Sequence, residues 1–261
     1  LRGVDEEVVA RFEEAASKQW NIVKDASLSE IRENADGSVT VVAKRTTENG
    51  EELLEIPADA VLVATGRRPN TDTLNAKNYF DVQDGGQLSV DKYQRVLYNG
   101  APVPGVYALG DVSSRYQLKH VANHEARVVQ HNLSHPEDLR ASDHRYVPAA
   151  VFSNPQIAVV GMTEEQARQA AEREGFEITV KAQNFGDTAY GWAMEDKIGL
   201  CKLIARKDNG ELLGAHLVGE ESSVLIQPLL QAMSFGMDAR TLARGQYWIH
   251  PALTEIVENA L

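Results

Sequence analysis

The chain carries one cysteine, Cys201, among 261 residues, which excludes an intrachain disulfide and any zinc site built chiefly from thiolates. No run of 18 apolar residues is present, so there is no candidate membrane-spanning helix. The first residues, Leu1-Arg2-Gly3-Val4-Asp5, have neither the positive start nor the apolar centre of a secretory signal. These absences lead to the expectation of a soluble, cytoplasmic protein with no membrane partner. Basic side chains are also few: 26 against 38 acidic ones give a formal charge of −12. With no polybasic tract, nucleic acid is not expected as a partner. No internal repeat or low-complexity segment occurs. What is there is ordinary globular composition, 43% apolar and 25% charged, in a chain long enough for one large or two to three small domains.

From Asp5, a suitable N-cap, Val8, Val9, Phe12, Ala15, Ala16 and Trp20 recur at helical spacing. Strand-length apolar pieces follow, separated by Asp36-Gly37 and Asn49-Gly50, the pairs that favour tight hairpins; they predict a β-meander over residues 27–56. Residues 60–65 are apolar almost without a break, as expected of a strand buried on both faces of a parallel sheet. Gly66 ends that run and permits close approach of a ligand or merely a turn. A second buried strand is expected at residues 106–109, closed by Gly110-Asp111. Ligands gather at the carboxyl ends of strands in open α/β sheets, where Asp111 could accept hydrogen bonds from sugar or polyol hydroxyls, or simply cap a turn. A helix is predicted from Lys119, its first amides placed to stabilise negative charge on a ligand beside Asp111. His120, His124 and His131 are scattered on that helix without a carboxylate-supported tetrahedral set, so no metal site is predicted.

Residues 134–145 read as a linker, after which the pattern turns α+β. Two short strands are expected around Asn154-Pro155, and Thr163-Glu164-Glu165-Gln166 has capping-box spacing before a helix through Ala171. Strand-like runs occupy residues 176–182, 200–206 and 212–218. A helix over 223–233 holds Pro228 early enough to be tolerated or to kink it, and its apolar face suits a core or a subunit interface. Near the end, Pro251 suits the first position of a helix, placing His250 at its mouth and Glu255 within about a turn and a half. A carboxylate there orients the imidazole and stabilises its protonated form, the arrangement of a general acid or base. A histidine at a helix boundary is more often only a polar residue, so the pair gains meaning from its context.

That context comes from four ordered segments: Val63-Ala64-Thr65-Gly66-Arg67-Arg68-Pro69-Asn70; Gly105-Val106-Tyr107-Ala108-Leu109-Gly110-Asp111; Phe152-Ser153-Asn154-Pro155-Gln156 with Val160-Gly161-Met162-Thr163-Glu164; and His250-Pro251 with Glu255. Together they resemble the C-terminal part of the flavoprotein disulfide reductases with two dinucleotide-binding domains, the group of glutathione reductase and dihydrolipoamide dehydrogenase. Residues 118–127, 189–196 and 245–250 are similar to the branch of that family that reduces mycothiol disulfide. The resemblance implies α/β and α+β architecture, a partial two-dinucleotide-binding flavoprotein fold with a C-terminal α+β dimerisation domain. Residues 1–70 would be the later part of the NAD(P)H-binding domain, 71–145 the returning part of the FAD domain, and 146–261 the interface domain. The implied parent is an NADPH-dependent FAD enzyme, a homodimer that reduces mycothiol disulfide to mycothiol.

The same resemblance places Gly110 and Asp111 on the ribitol or phosphate side of the flavin. Lys119 and His120 bring a helix N-terminus to the pyrimidine edge of the ring, and Gly66 and Arg67 lie beside the nicotinamide nucleotide. His250 would cross the dimer interface, protonate the departing thiolate and assist the attacking cysteine, with Glu255 holding it. Tyr247 and Trp248 would shape the disulfide pocket or pack in the core. The departures are equally plain. No Gly-x-Gly-x-x-Gly opens a strand-to-helix turn, the family's Cys-x-x-x-x-Cys pair is missing, and residues 95–104 are longer than the family's usual approach to the Gly-Asp signature. Cys201, in a predicted strand, reads as buried and inert. The chain is therefore expected to be a C-terminal portion that does not turn over alone. A dihydrolipoamide-dehydrogenase-like reductase and a non-catalytic dimerisation module stand as alternatives.

Overall fold

Asp5 begins the first helix as its side chain predicts, accepting the Glu7 N–H at 3.2 Å before α1 (Glu6–Ala16). The computed structural model describes Leu1 and residues 3–261, and they divide into two units, Leu1–Ala15 with Arg68–Leu261, and Ala16–Arg67.

The smaller unit holds the expected meander: β1 (Ala26–Glu33), β2 (Val39–Thr47) and β3 (Gly50–Ala58), antiparallel with β2 in the middle. Gly37 and Gly50 turn the chain at φ +86° and +117°, a region closed to most side chains. The buried parallel strand expected after β3 does not form. Residues 60–66 belong to no strand, and Leu62 and Val63 are 90% and 63% exposed. An apolar run becomes a strand only where a neighbour takes up its backbone N–H and C=O groups, and no described strand pairs with this one.

In the larger unit, β4 (Arg95–Tyr98) and β5 (Ala101–Tyr107) form a hairpin turned by Asn99 and Gly100, both at positive φ. This hairpin accounts for the long segment at 95–104 and corrects the second expected buried strand: Val106 and Tyr107 end an antiparallel β5 and are only half-buried. Ala76, Leu88, Val96 and Ala108 form a small core beneath it. Helix α2 (Lys119–Ser134) starts where predicted and buries Val121, Val128 and Val129. The segment after it is tied down by Asn132, whose side-chain amide donates to the carbonyls of Tyr93 and Arg140.

The rest is one antiparallel sheet of β6 (Ala149–Val151), β7 (Gln156–Gly161), β8 (Ile178–Asn184), β9 (Leu200–Arg206) and β10 (Leu212–Gly219), in the order β6-β7-β10-β9-β8. Between β7 and β8 lies α3 (Glu164–Glu174), opened by the predicted capping box: Thr163 accepts the Gln166 N–H while Gln166 accepts the Thr163 N–H. The short α4 (Ala189–Ala193) follows β8. The expected helix over 223–233 is divided into α5 (Ser222–Leu225) and α6 (Gln227–Phe235), because Pro228 lacks an N–H and opens a new first turn. Helices α7 (Ala239–Arg244) and α8 (Glu255–Ala260) close the chain. Leu203, Leu217, Leu229, Ile256 and Val257, each at most 4% exposed, build the main core. No helix among the described residues is long and apolar enough to cross a membrane.

One polar knot is buried beside this sheet. Lys202 of β9 donates to Asp5 at 2.9 Å and pairs with Glu164 at 2.7 Å and Glu7 at 3.2 Å, while the second Asp5 oxygen accepts the Glu164 N–H at 3.0 Å. Asp5 thus caps α1 and α3 at once and neutralises a lysine that is 5% exposed.

Candidate active site

Ile256 and Val257 fix α8 in the core, and this anchoring decides where Glu255 stands. The carboxylate accepts the His250 Nδ1–H at 2.6 Å and, through its other oxygen, the Ala252 N–H at 3.2 Å. Pro251 is not the first helical residue, contrary to the sequence expectation. A cis bond joins it to His250, and helical bonding starts three residues later, where Thr254 O accepts from Val257 and Glu258. The pairing of His250 with Glu255 survives that correction, because Glu255 now opens α8 and reaches back across the turn.

The two partners differ in exposure, 68% for the imidazole and 14% for the carboxylate. The hydrogen bond from His250 holds the Glu255 carboxyl below its usual range, with the Ala252 N–H adding to it. With Nδ1 committed to the carboxylate, Nε2 is the nitrogen left to exchange a proton. Beside it opens a depression of about 570 Å3, lined by Asp187, Thr188, Tyr190 and Trp192 as well as His250 and Pro251. Trp248 packs against the core and donates its indole N–H to Ala243 O at 3.0 Å, whereas Tyr247 is fully exposed.

A second group forms where the Gly110–Val112 turn meets the first turns of α2. Gly110 lies at φ +70°, and a Cβ there would stand 3.2 Å from the Ala122 Cβ, so glycine permits the close packing. Its N–H donates to Glu125 Oε2 at 2.7 Å; the other Glu125 oxygen meets His144 Nε2 at 3.1 Å. Asp111, Lys119 and His120 are exposed, and His120 Nε2 bonds to the Pro148 carbonyl at 2.8 Å. Leu118 at the N-cap provides no side-chain acceptor for the first amides of α2. The structure therefore brings Gly110, Asp111, Lys119 and His120 onto one region. Gly66 and Arg67 belong to the smaller unit, both exposed, with nothing within 4 Å of a Cβ on Gly66.

Glu125 and His144 were not singled out from the sequence. Glu125 did leave a signal, since it falls on the apolar stripe of Val121, Val128 and Val129, where a carboxylate has to find partners; it is 1% exposed. His144 lies within the segment read as a linker and gave none. Cys201 is fully buried, and burial pushes its thiol up to about 12. No group of three or more His, Cys, Asp or Glu among the described residues could hold a metal ion.

The group around Gly110 combines a turn in which glycine permits close packing, an exposed carboxylate, and a helix start whose N-cap residue supplies no side-chain acceptor, beside a lysine. Residues 1–126 match the model described as pyridine nucleotide-disulphide oxidoreductase, and residues 147–261 match the dimerisation domain of the same proteins. The chain belongs to the pyridine nucleotide-disulphide oxidoreductase family.

Within it, the chain is 51% identical to mycothione reductase of Mycobacterium tuberculosis over 266 residues, covering 100% of this chain and 54% of that protein. Identity to dihydrolipoyl dehydrogenase of Synechocystis sp. is 32%, again over 100% of this chain and 54% of the relative. Among solved structures, the HOCl-induced flavoprotein disulfide reductase of Escherichia coli superposes with a TM-score of 0.83 at 27% identity, over 100% of this chain and 56% of that one. The chain spans about half the length of the curated relatives it matches.

Proposed function

We propose that this chain is a C-terminal portion of an NADPH-dependent FAD enzyme that reduces mycothiol disulfide in the cytoplasm, with His250 as the acid–base group serving the other subunit of a homodimer. The observation that carries this reading is the 2.6 Å bond from an exposed His250 ring to a carboxylate anchored by the core. The first roughly 70 residues are read as the later part of the NADPH domain, those to about 145 as the returning FAD domain, and the remainder as the interface domain.

A cysteine thiolate attacks one sulfur of the substrate; the new S–S bond forms as the old one breaks, and the electron pair leaves on the second sulfur. Protonation of that leaving thiolate by His250 Nε2 releases the first mycothiol. Glu255 stabilises the imidazolium beforehand and keeps the ring aimed. The attacking thiolate is not Cys201, whose thiol is buried and raised to about 12. When bound, flavin would supply electrons from NADPH to reduce the disulfide that contains the attacking cysteine. Gly110 and Asp111 would hold its ribitol or phosphate side, and the start of α2 at Lys119 and His120 would face its pyrimidine edge, where positive potential favours negative charge. Gly66 and Arg67 would lie beside the nicotinamide nucleotide.

Identity of 51% to a mycothione reductase against 32% to a dihydrolipoyl dehydrogenase favours the mycothiol substrate over the lipoyl one. The test is NADPH oxidation by the purified holoenzyme with mycothiol disulfide and, separately, lipoamide. Turnover of the first and a loss of about 10²–10⁴-fold on His250→Gln is expected. Preference for lipoamide, or a His250→Gln enzyme as fast as the parent, would reject the reading.

A further inference from the structure

We propose that Asn49 is a site of spontaneous covalent modification, an asparagine that its own chain converts to isoaspartate and aspartate; nothing in the inference depends on the function proposed above. Three Asn-Gly pairs occur, at 49–50, 99–100 and 209–210. Each is chemically predisposed, because glycine has no Cβ to hinder its amide nitrogen. That nitrogen can attack the preceding side-chain carbonyl carbon once the two atoms come within reach. The structure separates the three pairs.

In the step itself, Gly50 N gives up its proton and bonds to Asn49 Cγ. The bond from Cγ to the side-chain nitrogen breaks, ammonia leaves, and a cyclic imide remains. Water then opens the ring at either carbonyl. One opening gives aspartate; the other gives isoaspartate, in which the main chain runs through the side-chain carbon. Water is the only co-reactant.

Asn49 and Gly50 stand at the tip of the hairpin between β2 and β3, both exposed, with Gly50 paired to Thr47 in the last rung of the ladder. Thr47 Oγ1 accepts the Asn49 N–H at 3.3 Å and donates to Gly50 O at 2.9 Å. Those two bonds brace the turn without holding either reacting atom, Asn49 Cγ or Gly50 N. Only a terminal rung has to open, and ladder ends open at little cost. At the second pair, by contrast, the Asp81 carboxylate accepts both the Asn99 N–H at 2.9 Å and the Gly100 N–H at 2.8 Å. A negative charge on that N–H opposes the loss of its proton. The third pair is tied at both reacting groups. Gly210 is buried, its N–H donates to Arg206 O at 3.0 Å and its carbonyl accepts from Ala239 N at 2.8 Å, while Asn209 Oδ1 accepts the Glu211 N–H at 2.9 Å.

The product differs from asparagine in two ways that the hairpin feels. A new carboxylate appears between Glu48 and Glu51, and isoaspartate lengthens the backbone of a tight turn whose geometry sets the register of β2 against β3. The reaction runs one way, so the hairpin records the age of the molecule.

The test ages the 261-residue chain in warm, mildly alkaline buffer beside a sample unfolded in denaturant, and follows by mass the peptides that carry the three asparagines. The Asn49 peptide is expected to gain the mass difference between an amide and an acid and to separate into two products, isoaspartyl and aspartyl. Asn99 and Asn209 should convert about tenfold or more slowly in the folded chain, and all three should converge in denaturant. Asn49→Gln, which would have to close a larger ring, should leave the hairpin peptide unchanged. Asp81→Asn keeps an acceptor without the charge and should bring Asn99 toward the Asn49 rate while Asn209 stays slow. A folded chain that keeps Asn49 intact while the unfolded one converts, that converts Asn99 or Asn209 as fast as Asn49, or that yields aspartate alone would overturn the proposal. An Asn99 still slow in Asp81→Asn would overturn the part assigned to Asp81.

Discussion

At the scale of single residues the chemistry turns on which charges are satisfied. Glu255 is held below the usual range by its bond from His250, so the pair's contribution is fully present above the ordinary glutamate value near 4.3 and is lost as pH falls through the lower folded value. Glu255→Gln keeps a hydrogen-bonding group but no counter-charge; if His250 is the acid proposed above, disulfide turnover by the holoenzyme is expected to fall by part of the roughly 10²–10⁴-fold that such an acid supplies, and an unchanged kcat would show that the carboxylate is only structural. Lys202 makes the opposite case, a cation kept charged in a dry place. Burial alone would lower it, yet Glu164 and Asp5 carry it well above its usual value. Lys202→Met strands the buried Asp5 carboxylate and should cost about 3–5 kcal/mol in denaturant unfolding at neutral pH. Burial would raise Asp5 too, were it not for the Glu164 N–H and Lys202, which leave it below its usual value. The wild-type advantage is therefore lost as pH falls below the ordinary carboxylate range, and the penalty of Lys202→Met should shrink there. Of these groups the sequence displayed the His250–Glu255 pair, five residues apart, but hid Asp5–Lys202, whose members are separated by 197 positions.

Elements were legible where their causes are local. The meander followed from Asp36-Gly37 and Asn49-Gly50, and α3 from a capping box spanning four residues, because turns and caps are settled by neighbours in sequence. Residues 60–66 and 106–109 misled because an apolar run reports only a wish to be buried; whether it forms a parallel strand depends on partners elsewhere. The consequence can be measured. Amides of residues 60–66, outside any strand, should exchange with solvent close to the unprotected rate, while those of β9 and β10 in the middle of the five-stranded sheet should be the slowest. Uniform protection would contradict this.

For the molecule as a whole, the part matched to a dimerisation domain leaves Phe152 81% and Phe235 80% exposed. Apolar groups this open on an interface domain are expected to meet a second copy. Sedimentation should then show a dimer that dissociates on dilution, and Phe235→Asp should weaken it by about tenfold or more; a monomer at every concentration would count against the homodimer. The double cap made by Asp5 has a further consequence, in time rather than space. The carboxylate leaves the ribosome 197 residues ahead of the lysine it neutralises, which at about 5–20 residues per second is roughly ten to forty seconds of synthesis. For that interval Asp5 has no lysine partner, so α1 is made well before the strand that fastens it.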